Sequence, residues 1–123
     1  MNTLEKLIKK VIRFNKARGW MPVPADSAKS VVIEAAELLE CFQWDETDKK
    51  RNPKNWEEIG LEVADVFWYL VTFCHHAGLD LGECVEKKIT HLEKKYPAKM
   101  FQGKHNEEFY QKRKRKYRRN RIK

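Results

Sequence analysis

Apolar residues at Leu4, Leu7, Ile8, Val11 and Ile12 recur at i, i+3, i+4, i+7 and i+8, the period of one helix face. Thr3 is the expected N-cap of this first helix, and Gly19 its expected stop. Two prolines flank Val23 in "GWMPVPADS", so that stretch reads as a loop. Asp26 or Ser27 then caps a second helix reaching about Gln43. After the polar connection "WDETDKKRNPKN", Asn52-Pro53 marks the start of a third helix, which Gly78 ends just past Ala77. Asp80 caps a fourth, from Leu81 to about Lys95, terminated by Tyr96-Pro97. Neither strand-like alternation nor a fixed repeat interrupts the pattern. It predicts an all-α, four-helix bundle-like fold.

Helices two and three are apolar on nearly every side, which calls for more than one layer of covering partners. A homo-oligomer is the expectation; the alternative is a compact monomer covered by helices one and four. Acids interrupt both helices at helical spacing. In "IEAAELLECFQW", residues 33–44, Glu34, Glu37 and Glu40 lie three apart in a run otherwise apolar through Phe42. Between Ile59 and Cys74 the only charges are Glu62 and Asp65, again three apart. Positions i and i+3 share a face, so each helix presents two carboxylates side by side.

If the two helices pack antiparallel, four carboxylates converge, and their repulsion calls for a divalent cation. All-oxygen ligation suits Mg²⁺ or Mn²⁺. A di-iron site needs Glu-x-x-His, but the third residue after Glu37 is Glu40 and after Glu62 is Asp65. His75 and His76 lie about three turns beyond Glu62, too far along the helix to join it. The competing reading makes these acids solvated residues at a bundle edge.

Composition narrows the class. The 123 residues fit one ordinary domain, and 41% hydrophobic content excludes wholesale disorder. Three cysteines, Cys41, Cys74 and Cys84, form no C-x-x-C and sit in apolar helical patterns, so buried free thiols are expected. The start "MNTLEKLIKKVIRF" lacks the continuous apolar run of a signal peptide, and Val66 to Cys74 is too short to cross a bilayer. A cytoplasmic protein with no membrane partner is expected.

Charge divides the chain at about residue 103. Residues 1–103 hold 16 Lys+Arg against 16 Asp+Glu, while residues 104–123 hold 10 against Glu107 and Glu108. Residues 1–103 therefore read as the folded domain and 104–123 as a basic C-terminal tail. Within the domain, residues 34–65 carry 10 acids against four bases. A neutral body with an acidic middle does not suit a dedicated DNA-binding domain.

"EAAELLECFQW" followed by "EVADVFWYL" resembles the MazG-type all-α nucleoside triphosphate pyrophosphohydrolases, most closely their small dCTP-pyrophosphatase-like branch. Their pattern of Glu-x-x-Glu, a spacer, then Glu-x-x-Asp falls here on Glu34, Glu37, Glu62 and Asp65. The resemblance spans roughly residues 3–97 and includes Phe42-Gln43-Trp44, Tyr69, "LDL" at 79–81 and Tyr96-Pro97. It implies hydrolysis of a (deoxy)nucleoside triphosphate to monophosphate and pyrophosphate, with the four carboxylates as metal ligands. It also points to a tetramer built from dimers. Glu40 or a weakly ligating carboxylate would orient or deprotonate the attacking water. The alternative class is a non-catalytic, nucleic-acid-associated helical protein whose acidic site is vestigial.

A nucleobase needs an apolar slot with stacking surface. Trp44 stands at the family's base-proximal position, and Trp20 where relatives often carry an aromatic facing the same pocket. Phe14 and Tyr69 complete the expected set, each with plain core packing as the competing role. The sequence also departs from the family. Ile33 replaces a common second Glu, Leu92 replaces the Asn of Lys-x-x-x-Asn after Lys88, and Ala25 replaces a basic residue. Lys88 is therefore kept for phosphate, with Lys29 or a tail arginine left to substitute for what is lost.

"QKRKRKYRRNRIK", residues 111–123, lies outside that match. Asn106, Glu107 and Glu108 would start a helix whose basic end complements its macrodipole. Such a block binds nucleic acid by counterion release, docks on an acidic surface of a neighbouring subunit, or simply solubilises.

Overall fold

The computed structural model describes residues 2–42, 56–101 and 107–122. Its helices are α1 (Thr3–Ala17), α2 (Pro24–Glu40), α3 (Trp56–Ala77), α4 (Leu81–Lys95), α5 (Ala98–Phe101) and α6 (Glu107–Ile122). Among the described residues there is no strand, and the all-α expectation holds. No described helix is long and apolar enough to cross a membrane. The chain forms two compact units, Met1–Asp80 and Leu81–Lys123.

Local chemistry explains where the helices begin. Asn2, not Thr3, caps α1: its side chain accepts from Glu5 N–H at 2.8 Å, and the Glu5 carboxylate accepts from Asn2 N–H at 3.2 Å. This reciprocal box satisfies two orphan donors at once, so the cap falls one residue before the expected Thr3. α2 also starts earlier than expected, with Val23 as cap and Pro24 at the first position, rather than at Asp26 or Ser27. Proline lacks the N–H that a first turn leaves unsatisfied, so it opens the helix without a side-chain cap. Asp26 then sits in the first turn, where its charge suits the dipole. The expected start of α3 at Asn52-Pro53, and Gln43 at the end of α2, lie outside the described residues.

Two glycines stop helices in the same way. Gly19 (φ +66°) and Gly78 (φ +70°) take the left-handed conformation that costs a Cβ-bearing residue energy. Gly19 N–H bonds Lys16 O and Trp20 N–H bonds Asn15 O, while Gly78 and Leu79 repeat the pair on His75 O and Cys74 O. Trp20 is thereby folded back over the end of α1. α4 runs from Leu81 to Lys95 as expected.

In the first unit α2 and α1 both pack on α3. Val11, Ile59, Val71 and Cys74 are buried there, and so are Asn15, Ser27 and Thr72. Asn15 Nδ2 donates to Thr72 Oγ1 at 3.0 Å, and Trp68 Nε1 donates to Asn15 Oδ1 at 3.0 Å. Thr72 Oγ1 in turn donates to Trp68 O at 2.8 Å. This network ties α1 to α3. The cysteines are free, but only Cys74 is buried: Cys41 is half-buried at the end of α2 and Cys84 is exposed on α4. Helical periodicity places a residue on a face without saying which faces find a partner, and α4 leaves the Cys84 face uncovered.

Replacing Asn15 with Ala deprives the Trp68 indole N–H of its acceptor. Loss of one partner from a buried bond costs about 1–3 kcal/mol. Urea unfolding of Asn15→Ala should show a lower midpoint at unchanged m-value, and an unchanged midpoint would show the network to be dispensable.

Candidate metal centre and its flanking cavity

Glu34 and Glu37 stand one turn apart on α2, as Glu62 and Asp65 do on α3, and the α2–α3 contact brings the pairs together. One carboxylate oxygen from each of the four lies within 4.8 Å of the others. Glu34 and Glu62 are half-buried, and Asp65 is exposed. None of the four forms an ion pair with a described basic residue. Oε2 of Glu34 and Oε2 of Glu62 are buried without a hydrogen-bond partner.

The electrostatics follow. Burial pushes the Glu34 carboxyl from 4.5 to about 7, helped by its hydrogen bond with Glu37 and by the charges of Glu37, Asp65 and Glu62. Burial also raises Glu62, and next the charges of Glu37 and Asp65. The Cys41 thiol, which donates to Glu37 O at 3.6 Å, is pushed up by burial and then by the charges of Glu62 and Glu58. It stays a thiol at neutral pH and is no competing thiolate ligand.

A divalent cation fits this set on chemical grounds. Two buried acceptor oxygens lack donors, every candidate ligand is a carboxylate, and no base among the described residues pairs with them. Opposite ligands of Mg²⁺ at about 2.1 Å lie about 4.2 Å apart, so the cluster is within side-chain adjustment of that span.

Beside it on α3, Trp68 and Tyr69 follow Asp65 by about one turn and open onto a cavity of about 470 Å³. Trp20, Met21 and Pro22 of the α1–α2 loop form another wall, and Asn15 and Thr72 complete the lining. Phe14 stands behind rather than in this wall: its ring meets the edges of Trp20 at 5.8 Å and Trp68 at 5.1 Å. The Arg18 guanidinium covers the Phe14 ring at 3.4 Å and donates to Phe14 O.

Neither Glu40 nor Lys29 belongs to these two features. Glu40 is exposed at the last residue of α2 and contributes no oxygen to the cluster. Lys29 is exposed and pairs with Asp26 at 4.0 Å. Lys88 is exposed on α4, in the second unit. Trp44 lies outside the described residues. Sequence reasoning missed Asn15, Trp68 and Thr72. Asn15 was detectable as a polar residue one turn after Val11 on the apolar stripe of α1. Glu58 was missed as well, although it lies four residues before Glu62.

Similarity to known proteins places the chain in a family. Residues 29–112 match the MazG-like family. dCTP pyrophosphatase 1 of Rattus norvegicus is 29% identical over 108 residues, and that of Bos taurus 30% over 108. Each alignment covers 82% of this chain but 63% of the relative, so the chain spans under two thirds of their length. A pyrophosphatase from Archaeoglobus fulgidus DSM 4304 of known structure is 34% identical, with a TM-score of 0.64, over 79% of this chain and 94% of its own. With most of the chain matched and the paired acids of α2 and α3 assembled as the sequence pattern requires, this protein belongs to the MazG-like family.

Proposed function

We propose that the protein hydrolyses nucleoside triphosphates, deoxynucleotides among them, to the monophosphate and pyrophosphate, removing unwanted nucleotides from the pool. One observation carries this reading: four carboxylates gathered on α2 and α3 with no described base paired to them, beside an aromatic-walled cavity. The name of the two curated relatives makes dCTP the first substrate to try.

Glu34, Glu37, Glu62 and Asp65 would hold Mg²⁺, with Mn²⁺ as a substitute. A divalent cation there supplies charge neutralisation for the phosphates and the leaving pyrophosphate, and lowers the pKa of water. The chain's own groups do the rest. Trp20, Tyr69 and Trp68 offer ring faces to the base, and the Asn15–Thr72 network fixes the Trp68 indole. Phe14 supports Trp20 from behind. A water oxygen bonds the α-phosphorus as its bond to the β-bridging oxygen breaks. The water proton passes to a carboxylate, either Glu40 or a weakly bound member of the four. Lys29 and Lys88 remain candidates for the triphosphate.

The working form is a homo-oligomer, a tetramer made of two dimers, in the cytoplasm with its substrate. Val32 and Leu39 on α2 are each 69% exposed, and Leu61 on α3 is 65% exposed. Large apolar groups left open on two packed helices favour a second copy as cover.

Incubation with a panel of deoxynucleoside triphosphates and Mg²⁺ should yield monophosphate and pyrophosphate in equal amounts. Orthophosphate alone, or no product from any nucleotide, rules the reaction out.

Glu37→Gln and Glu62→Gln each remove a ligand, so kcat/KM should fall by more than the roughly 10–100-fold typical of outer-shell changes. Both variants should melt no lower than wild type without metal, since each relieves repulsion. Mg²⁺ at about 100 times Kd should stabilise wild type by about 2.7 kcal/mol. Glu34 keeps its proton up to about 7 in the metal-free protein, and Mg²⁺ must displace it. The Mg²⁺-induced rise in Tm should therefore be smaller at a pH below that value than above it. Full activity in both Gln variants would make the cluster structural.

Light scattering at micromolar concentration should report a multiple of 14.7 kDa. A monomer would leave the apolar faces of α2 and α3 without the proposed role.

A further inference from the structure

We propose that the outward face of α6 binds the phosphodiester backbone of nucleic acid without reading its sequence. The surface lies in the second unit, begins where the family match ends at residue 112, and does not rest on the hydrolase reading.

The basic tail is not a loose string of charge. Tyr117 Oη lies 2.7 Å from His91 Nε2, and Arg113 Nε donates to Lys95 O at 2.7 Å, at the last residue of α4. Tyr110 stacks on Tyr96 at 5.2 Å, and Lys95 Nζ sits 4.7 Å from the Tyr117 ring centroid. Residues 110, 113 and 117 repeat at i, i+3 and i+7, so one face of α6 is taken up by the α4 end of this unit. Two tail cations serve there too: Arg113 on the Lys95 carbonyl, and Lys114 at 6.0 Å from the Tyr110 ring.

Of the exposed cations left over, Arg118 stands apart and four others share one side of the helix. Lys112, Arg115, Lys116 and Arg119 fall at i, i+3, i+4 and i+7, a single stripe about 100° wide on a different face. All four are exposed, and none pairs with a described carboxylate. The acids of α6 stand in its first turn, with Glu107 held by Gln111 at 2.6 Å. The stripe is about 10 Å long, against one phosphate per 3.4 Å of axis along a nucleic-acid strand. It can thus meet about three or four phosphates.

The stripe also says what it does not read. It contains no aromatic residue for base stacking, because Tyr110 and Tyr117 are used in docking. Nor does it interleave apolar residues with its cations, as a helix lying in a lipid surface does. A polymer of regularly spaced phosphates suits four cations in a row.

The test uses the full chain and fluorescence anisotropy with a labelled single-stranded RNA and a labelled DNA duplex, both of mixed sequence. Four neutralised phosphates predict that duplex affinity falls about 150-fold between about 50 and 200 mM salt. Neutralising the stripe (Lys112→Gln, Arg115→Gln, Lys116→Gln, Arg119→Gln) should weaken binding more than about tenfold and flatten the salt slope. The matched set on α1 (Lys6→Gln, Lys9→Gln, Lys10→Gln, Arg13→Gln) removes the same charge and should leave affinity within about twofold. Binding of either polymer in this pattern supports the proposal, and the two arms tell which backbone is preferred. Equal loss in both variants, no binding by wild type at low salt, or binding only to phosphatidylserine vesicles overturns it.

Discussion

The contact between α2 and α3 sets the terms for the first unit, because its facing surfaces carry like charges. Glu34, Glu37, Glu62 and Asp65 gather within 4.8 Å with no described base among them. Such a group can spread into solvent, retain a proton, or take up a cation. Two orphan oxygens, on Glu34 and Glu62, show that solvent does not reach them all. In the metal-free chain the balance is struck by a proton, kept on Glu34 up to about 7. A divalent cation would neutralise more charge than one proton does, and the orphan oxygens of Glu34 and Glu62 would be available to it. An all-carboxylate set of this kind offers the hard oxygen ligands that suit a doubly charged ion.

That use of the α2–α3 face has a consequence for packing. Apolar residues such as Val32, Leu39 and Leu61 remain exposed, and among the described residues the buried set is small. Cohesion then leans on α1, whose Val11 and Asn15 are buried. Asn15 does two jobs through one side chain: it bonds Thr72 and holds the Trp68 indole at the cavity wall. The Gly19 stop sends Trp20 back over the same helix end, bonded to Asn15 O. Two features that could have formed separately, the α1–α3 joint and the aromatic cavity, therefore share their atoms.

Legibility in the sequence tracks the range of the interactions. The i, i+3 acids were readable because helical periodicity alone puts them on one face, and one helix contact assembles them. Gly19 and Gly78 were readable because the left-handed residue after a helix is a local demand. Helix starts were less so: Asn2 outcompeted Thr3 through a partner three residues on, and Pro24 opened α2 with no side-chain cap. The Asn15 network joins residues 57 and 53 positions apart, and no local pattern announces such a pairing. The exposure of Cys84 was missed for a related reason, since an apolar stripe does not name its partner.

The two charged regions resolve a shared problem by opposite means. In the acidic cluster the charges face each other in partly desolvated space, where repulsion is poorly screened and an ion or a proton must intervene. On α6 the charges radiate outward, and water with a Debye length of about 8–10 Å weakens their repulsion without any bound partner. A helix so rich in like charge still gains little from its own propensity, so it needs contacts elsewhere to stay formed. Tyr117 on His91, Tyr110 on Tyr96 and Arg113 on the Lys95 carbonyl supply them. Docking and display are therefore coupled in α6: the contacts that keep it helical are the ones that turn Lys112, Arg115, Lys116 and Arg119 to a common side.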